Sequence, residues 1–391
     1  MKRLLSIFLS LVVLLSCFSI FASAESLPVE VLAKSALLME VSSKRVLLEK
    51  NSKERLYPAS ITKIMSLLLV CEAIDSGRLS LDERVSVSSF AASRGGSQIW
   101  LEPGEEMTVR DLLKATAVYS ANDACTQLGE CVAGSDSAFV ARMNERAAEL
   151  GMKDTHFENC TGLDDTVQNH MTTAYDIALM SCELLKHRWI TDYTTIWMDS
   201  LRNGRTELVN TNRLVRTYRG VTGLKTGTTS RAGCCVSASA RRDSMELVAV
   251  VLGSDNSKDR FAAAANLLDW GFANYELYVP EIKEGAVKSV KVLRGEREEV
   301  YPLIPSLEPI LLSKGEAKSI KLNIEQGEDL EAPVEKGQII GKITVLQGAR
   351  TLAEYDLKAE AQVKRVSLRF IFLKIIGSVG INAEKKPEQG S

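Results

Sequence analysis

Tyr57-Pro-Ala-Ser-Ile-Thr-Lys-Ile-Met-Ser-Leu-Leu-Leu-Val70 is the stretch on which the reading of the whole chain depends. It predicts a sharp turn at Pro58 followed by a helix that is apolar on nearly every side, through Ile61, Ile64, Met65, Leu67, Leu68, Leu69 and Val70. Such a helix is buried rather than laid on a surface. A core helix has no packing need for a hydroxyl and an amine in its first turn, yet Ser60 and Lys63 stand there. Their i, i+3 spacing puts both on one face. A serine hydroxyl needs a base to become a nucleophile, and a lysine desolvated at the start of a buried helix can supply one. The plainer reading makes Ser60 a helix cap and sends the Lys63 ammonium out to solvent. An S-x-x-K pattern arises by chance on the order of once in a chain of this length, so the pair needs corroboration.

The 391 residues are 45% hydrophobic and 25% charged, with a formal net charge of −2. That is material for a large core and two domains, and the charge gives no basis for a nucleic-acid partner. Met1-Lys-Arg3 leads into an apolar run over 4–21 and then Ala22-Ser-Ala24. A basic head, an apolar core and a small-residue cleavage site predict a secretory signal peptide over 1–24, cut after Ala24. A retained N-terminal anchor is one alternative, and lipoprotein processing at Cys17 after Leu14-Leu-Ser16 is another. Export would place the mature protein outside the cytoplasmic membrane.

The cysteines that remain, Cys71, Cys125, Cys131, Cys160, Cys182, Cys234 and Cys235, show no C-x-x-C pair and no zinc spacing. They read as buried small hydrophobes, a disulfide between distant segments remaining open. Cys125 and Cys131, on one continuous helix, would stand roughly 9 Å apart, too far to bridge. His156, His170 and His187 lack ligand-like spacing and read as structural. No metal and no cofactor is expected.

From Ser35 the pattern predicts a β-hairpin, then the Ser60 helix, then a polar, strand-poor stretch to Thr108 with Gly95-Gly-Ser97 as a loop. Helices are predicted over 109–118, from Asp123 through Cys131, from Ser135 or Asp136 to Leu150, and over 176–185. Strands return at 223–229, 234–240 and 245–252, followed by a helix over 260–270. Together these make an α/β (α+β) arrangement: an antiparallel sheet carrying helices, with a separate helical lobe, over 25–276. Alternating runs after Tyr275 predict a small all-β domain over 277–363. The last segment, 364–391, carries Lys364, Arg365, Arg369 and Lys374 among apolar and aromatic residues before a polar tail. It is too short in its apolar runs to span a bilayer, and its composition fits a helix lying at a lipid headgroup surface. Docking on the β domain is the alternative.

The corroboration comes from two further triplets in order: Ser120-Ala-Asn122 and Lys225-Thr-Gly227. With Ser60-x-x-Lys63 they form the set used by penicillin-binding proteins and class A β-lactamases. Ser120 and Asn122, between two helices, would present a hydroxyl and an amide to a cleft. Lys225 would set a positive charge on the far wall, and Gly227 would let the strand approach a substrate backbone.

The sequence closely resembles the low-molecular-mass penicillin-binding proteins that are serine D-alanyl-D-alanine carboxypeptidases. The likeness extends to Cys160-Thr-Gly-Leu163, His170-Met-Thr-Thr-Ala-Tyr-Asp176, Gly223-Leu-Lys-Thr-Gly-Thr-Thr229 and Ala232-Gly233, and to the trailing β domain and basic terminal helix. The resemblance implies the penicillin-binding/β-lactamase-like transpeptidase fold. It also implies removal of the terminal D-alanine from peptidoglycan stem pentapeptides, with β-lactams as covalent inhibitors. Carried onto this chain, Ser60 is the acylated nucleophile, Lys63 its general base, and Ser120 the relay of the proton to the leaving group. Asn122 would hold the substrate amide, with Lys225, Thr226, Gly227 and Thr228 along the far wall. The N–H groups of Ser60 and Thr228 would form the oxyanion hole. Asn210-Thr-Asn212 has Thr211 where some relatives carry an arginine, which leaves Arg260 as the candidate second partner of the substrate carboxylate. A class A β-lactamase also needs a glutamate for deacylation, usually in E-x-x-L-N. No such segment lies between Asn122 and Lys225, since Glu207-Leu-Val-Asn210 lacks the spacing. A degenerate, non-catalytic binding module is the remaining alternative, and the intact motifs argue against it.

Overall fold

The computed structural model describes residues 27–380. The expected signal peptide, its alternative Cys17, and the tail after Gly380 lie outside the described residues. The described chain divides into two units between Gly271 and Phe272.

The first unit is organised on a five-stranded antiparallel sheet. Its strands are β1 (Ser35–Glu40), β2 (Val46–Lys50), β3 (Val221–Thr229), β4 (Gly233–Arg242) and β5 (Met245–Ser254), in the order β2-β1-β5-β4-β3. Every residue of β1 and of β5 is buried. That explains why these strands read as apolar runs rather than as alternating patterns: the centre of the sheet is covered on both faces.

The expected hairpin is β1–β2. Helix α1 (Lys63–Asp75) follows a tight 3₁₀ turn at Ala59–Thr62. Around it stand α2 (Val109–Lys114), α3 (Asn122–Ala133), α4 (Asp136–Glu149) and α5 (Ala174–Leu184). Helix α5 lies against β1 and β5, and α1 is sandwiched between α5 and α3. Ten of the residues of α1, Lys63 among them, are buried, as its all-round apolar sequence requires. The helix ends follow local chemistry. Ser135 caps α4 through the Ala138 N–H, Thr173 caps α5 through the Asp176 N–H, and Gly134 closes α3 in the left-handed region.

Three expectations are corrected. The helix predicted over 109–118 stops as α-helix at Lys114 and continues as a wider π turn, Ala115–Tyr119, ending on Ser120 at φ +68°. A π turn takes in an extra residue and so re-aims Ser120 and the chain beyond it, and apolar periodicity does not register it. The polar stretch before Thr108 contains a ribbon, Arg84–Ser86 against Glu106–Thr108, whose three-residue strands are too short to show a pattern. The last helix of this unit, α6 (Ser257–Asn274), begins a turn before Arg260.

The second unit is the expected small β domain. Ile339–Gln347 pairs antiparallel with both Ile320–Gln326 and Arg350–Ala359. Val290, Val292, Val300, Val334, Ile340, Ala359 and Val363 form a small core. Helix α7 (Leu368–Gly380) comes after it in the chain and leaves Leu368, Phe372 and Leu373 largely exposed. Among the described residues no helix is long and apolar enough to cross a membrane.

Candidate active site

Ser60 sits in the 3₁₀ turn ahead of α1, where Ala59 is held at φ +49°. That conformation is costly for a residue with a Cβ, and its surroundings fix it. Thr62 Oγ1 donates to the Ala59 carbonyl at 2.9 Å and lies 2.8 Å from His170 Nε2. His170 Nδ1 accepts the Glu158 N–H at 3.0 Å. Burial pushes His170 down to about 4, so it is neutral, with its proton on Nε2 and directed at Thr62. Gly162, at φ +85°, closes the box: a Cβ there would stand 1.8 Å from the Ala59 oxygen. His170 is thus structural, as expected, and what it supports is the nucleophile turn.

The Lys63 side chain is wholly buried, not sent to solvent. Its Nζ lies 3.1 Å from Ser60 Oγ, 2.6 Å from Asn122 Oδ1 and 2.8 Å from the Thr161 carbonyl. Burial lowers its pKa from the usual lysine value, the charges nearby opposing that only in part. A neutral amine has two hydrogens and one lone pair. With the hydrogens on Asn122 and Thr161, the lone pair faces the Ser60 hydroxyl, which is the arrangement a general base needs.

Asn122 is held in turn. Its Nδ2 donates to the Gly95 carbonyl at 2.7 Å and its backbone N–H to the Ser97 carbonyl at 2.6 Å. The sequence assigned Asn122 to the substrate. In the structure Oδ1 serves Lys63, and one amide hydrogen is the part left for a ligand. Gly96 fits beneath it, since a Cβ there would come within 2.6 Å of Nδ2.

Ser120 and Lys225 are also buried, and neither Ser120 Oγ nor Lys225 Nζ has a hydrogen-bond partner among the described residues. Burial first, and the nearby Lys63 second, hold Lys225 well below the usual lysine range. Buried polar groups without partners are costly, so two in one place mark where a ligand supplies them. An arriving carboxylate would favour the ammonium of Lys225.

Strand β3 carries Lys225, Thr226, Gly227 and Thr228 past Ser60. Gly227 has a further role. A Cβ on it would lie 2.7 Å from the Ser60 nitrogen and 2.9 Å from the Pro58 oxygen. The glycine admits the nucleophile's own backbone. Arg260 is buried rather than solvated. Its Nη1 donates to the carbonyls of Gly227 at 3.0 Å and Cys235 at 3.2 Å and to Thr228 Oγ1 at 2.9 Å. It therefore braces the end of β3 where Thr228 stands, and its Nε has no partner among the described residues.

Replacing Arg260 by alanine is expected to lower kcat/KM for a peptide ending in a free carboxylate by a factor of roughly ten to a thousand, the cost of losing a charged hydrogen bond. Equal loss on the C-terminally amidated peptide would assign Arg260 wholly to bracing the strand.

Thr161, Gly162 and the 95–97 loop carry no sign of a place at the site in the sequence, and His170 reads there only as structural. The segments Cys160-Thr-Gly-Leu163 and His170–Asp176 stood out only as part of the resemblance. Asn210 and Asn212 tie the segment holding Thr211 to its surroundings: Asn210 Nδ2 donates to the Thr194 and Ile196 carbonyls, and Asn212 Nδ2 to the Gly223 carbonyl. The cysteines read as small hydrophobes are unpaired, six of them buried and Cys131 half-buried.

Residues 21–256 match the profile of the D-alanyl-D-alanine carboxypeptidase family. The chain belongs to that family. Residues 278–365 match a second profile, the C-terminal domain of penicillin-binding protein 5. D-alanyl-D-alanine carboxypeptidase DacF of Bacillus subtilis is 42% identical, over 96% of this chain and 97% of its own. Among solved structures, penicillin-binding protein 5 from Haemophilus influenzae aligns at a TM-score of 0.73 and 28% identity, covering 87% of this chain and 100% of that one. Penicillin-binding protein D2 from Listeria monocytogenes, in a cefotaxime-bound form, aligns at 0.57 and 30% identity over 62% of this chain and 98% of its own. The fold class read from the sequence is therefore correct, and so is the assignment as a serine-type D-alanyl-D-alanine carboxypeptidase.

Proposed function

We propose that this enzyme acts outside the cytoplasmic membrane, removes the terminal D-alanine from peptidoglycan stem pentapeptides, and is acylated by penicillins. The observation that carries the reading is the buried Lys63 amine beside Ser60 Oγ, with Asn122 and Thr161 taking its hydrogens. Ser60 Oγ attacks the penultimate D-alanine carbonyl as its proton passes to Lys63 Nζ, and the carbonyl oxygen takes the negative charge between backbone N–H groups. Collapse breaks the C–N bond, and the proton returns through Ser120 to the departing D-alanine nitrogen. Water then attacks the ester, one proton regenerating Ser60 and the shortened peptide leaving as its carboxylate. The terminal carboxylate pairs with Lys225 from binding until the D-alanine departs. A β-lactam enters by the same attack, and the complex of the Listeria relative with cefotaxime supports this. Glu207, the nearest approach to a β-lactamase deacylation motif, lies exposed on the short strand Thr206–Val209, so the penicilloyl ester should be long-lived.

The test is release of D-alanine from a D-Ala-D-Ala-ending pentapeptide, with labelled penicillin mapped to the Ser60 peptide. No release, or a label on another serine, would overturn the reading, and rapid multiple turnover of penicillin would make the protein a β-lactamase.

Helix α7 completes the proposal as an anchor at the lipid surface. Its support is Leu368, Phe372 and Leu373, largely exposed, with Arg369 and Lys374 beside them in the chain. Truncation after Val363 is expected to free the mature protein from membranes while leaving kcat/KM on a soluble peptide unchanged. A truncated form that still sediments with membranes would contradict the anchor.

A further inference from the structure

Between the Gly-rich loop and the ribbon Met198–Leu201/Thr206–Val209 the surface displays one aromatic ring. Trp100 is 75% exposed, whereas Trp189, Trp197 and Trp270 are half-buried. Its backbone is held at φ +57°, an uncommon conformation for so bulky a residue. The two N–H groups flanking it, of Ile99 and Leu101, both donate to the buried carboxylate of Asp123, at 3.1–3.2 Å and 3.1 Å. From the other side Arg202, itself gripped by Glu105, donates to the Ile99 carbonyl at 2.7 Å. An exposed indole clamped from both sides in a disfavoured conformation does nothing for the core, and such strain persists where it serves a site.

We propose that Trp100 is a stacking platform for a sugar ring of the glycan that carries the stem peptide. This rests on the peptidoglycan substrate proposed above and deepens it. Three observations select a sugar. The ring borders a trough of about 550 Å³ whose other walls are Glu102, Pro103, Gly104, Glu105, Arg202 and Arg205, so its surroundings are polar. A lone indole among carboxylate and guanidinium groups suits a ligand with one C–H face and a rim of hydroxyls. A protein partner would ask for a larger apolar patch. The position also suits the substrate. Asp123, which clamps Trp100, directly follows Asn122, which holds Lys63. Three hydrogen bonds, Ser60–Lys63, Lys63–Asn122 and Asp123–Leu101, link the serine to Trp100 through the Asn122 and Asp123 side chains, a path that keeps the indole backbone within roughly 20 Å of the reacting serine. Four extended residues, the length of stem between the scissile bond and the glycan, span roughly 13–14 Å. A stem of that length carries the glycan into the neighbourhood of Trp100 while the D-alanine end lies at Ser60, with Arg205 at the rim for hydroxyl or acetamido oxygens.

The experiment has two arms on the full mature chain. In the first, chitotetraose, a peptide-free glycan, is titrated while indole fluorescence is followed. The expected result is a saturable change in the millimolar range that Trp100→Ala abolishes and Trp100→Phe weakens. No saturable change, or an equal change in Trp100→Ala, overturns the proposal. In the second, kcat/KM is compared between a disaccharide-linked pentapeptide and the free pentapeptide. Trp100→Ala is expected to lose about fivefold to tenfold on the linked substrate, through KM, and nothing on the free one. Equal loss on both, or loss through kcat, overturns the platform. Should the wild-type enzyme cleave neither substrate, the catalytic reading fails while the glycan titration still decides the site.

Discussion

Replacing Lys63 by arginine is expected to lower D-alanine release on the order of 10²–10⁴-fold, the usual worth of a general base, with little change in fold. Guanidinium keeps its proton at any pH the protein survives and offers five donors and no acceptor, so it can bond Asn122 and Thr161 yet cannot take the Ser60 proton. The lysine it replaces is poised by burial, which lowers its pKa, and by two fixed acceptors that turn its lone pair toward Ser60. The variant separates charge from basicity: if Lys63 only supplied positive potential, arginine would serve. Activity retained within about tenfold, with an unchanged circular dichroism spectrum, would remove Lys63 from the base role.

Gly227→Ala is the second large effect expected. The added Cβ would meet the Ser60 nitrogen at 2.7 Å, the Ala59 Cβ at 2.9 Å and the Pro58 oxygen at 2.9 Å. Most of these atoms are backbone, in a turn already pinned by Thr62, Gly162 and α1, so no side chain can swing aside. Either β3 or the nucleophile turn must move. Overpacking of this kind costs about 1–3 kcal/mol. The displacement falls on the Ser60 N–H, proposed to receive the developing oxyanion, and an error of about 1 Å there is worth roughly 10² in rate. Acylation by labelled penicillin and the urea midpoint are the two readouts. A variant that acylates normally would show that the approach of β3 to Ser60 does not matter to catalysis.

The nucleophile helix was legible because its chemistry broke its pattern: a serine and a lysine stand where an apolar helix has no use for them. Ser120-Ala-Asn122 and Lys225-Thr-Gly227 were legible for the same reason, as polar triplets at element boundaries. The sheet was legible from β1, β4 and β5, whose apolar runs allow little else. What stayed hidden depends on backbone atoms and on distant segments meeting. The Thr161 carbonyl that helps hold Lys63 is offered by any residue type. The His170–Thr62–Ala59 chain joins residues more than a hundred positions apart. The π turn before Ser120 leaves no trace in periodicity, and the need for glycine at 162 exists only because the Ala59 carbonyl arrives there. Arg260 was chosen because Thr211 stands where some relatives carry an arginine, and it lies in a helix's first turn. Its partners turned out to be the carbonyls behind β3, which only the packing of α6 on the sheet could disclose.

The central claim is that a buried, readily neutralised Lys63 activates Ser60, and its most direct measurement is the pH dependence of the acylation rate constant at saturating D-Ala-D-Ala peptide. With the substrate carboxylate on Lys225, as proposed above, saturation leaves the base as the titrating group. The base works unprotonated, and burial disfavours its ammonium, which moves the acid limb downward from the ordinary lysine value of 10.5. Acylation is predicted to rise with pH along a limb whose midpoint lies below 10.5, and that limb vanishes in Lys63→Arg. A limb with its midpoint at or above 10.5, or the same limb retained in the arginine variant, would contradict this.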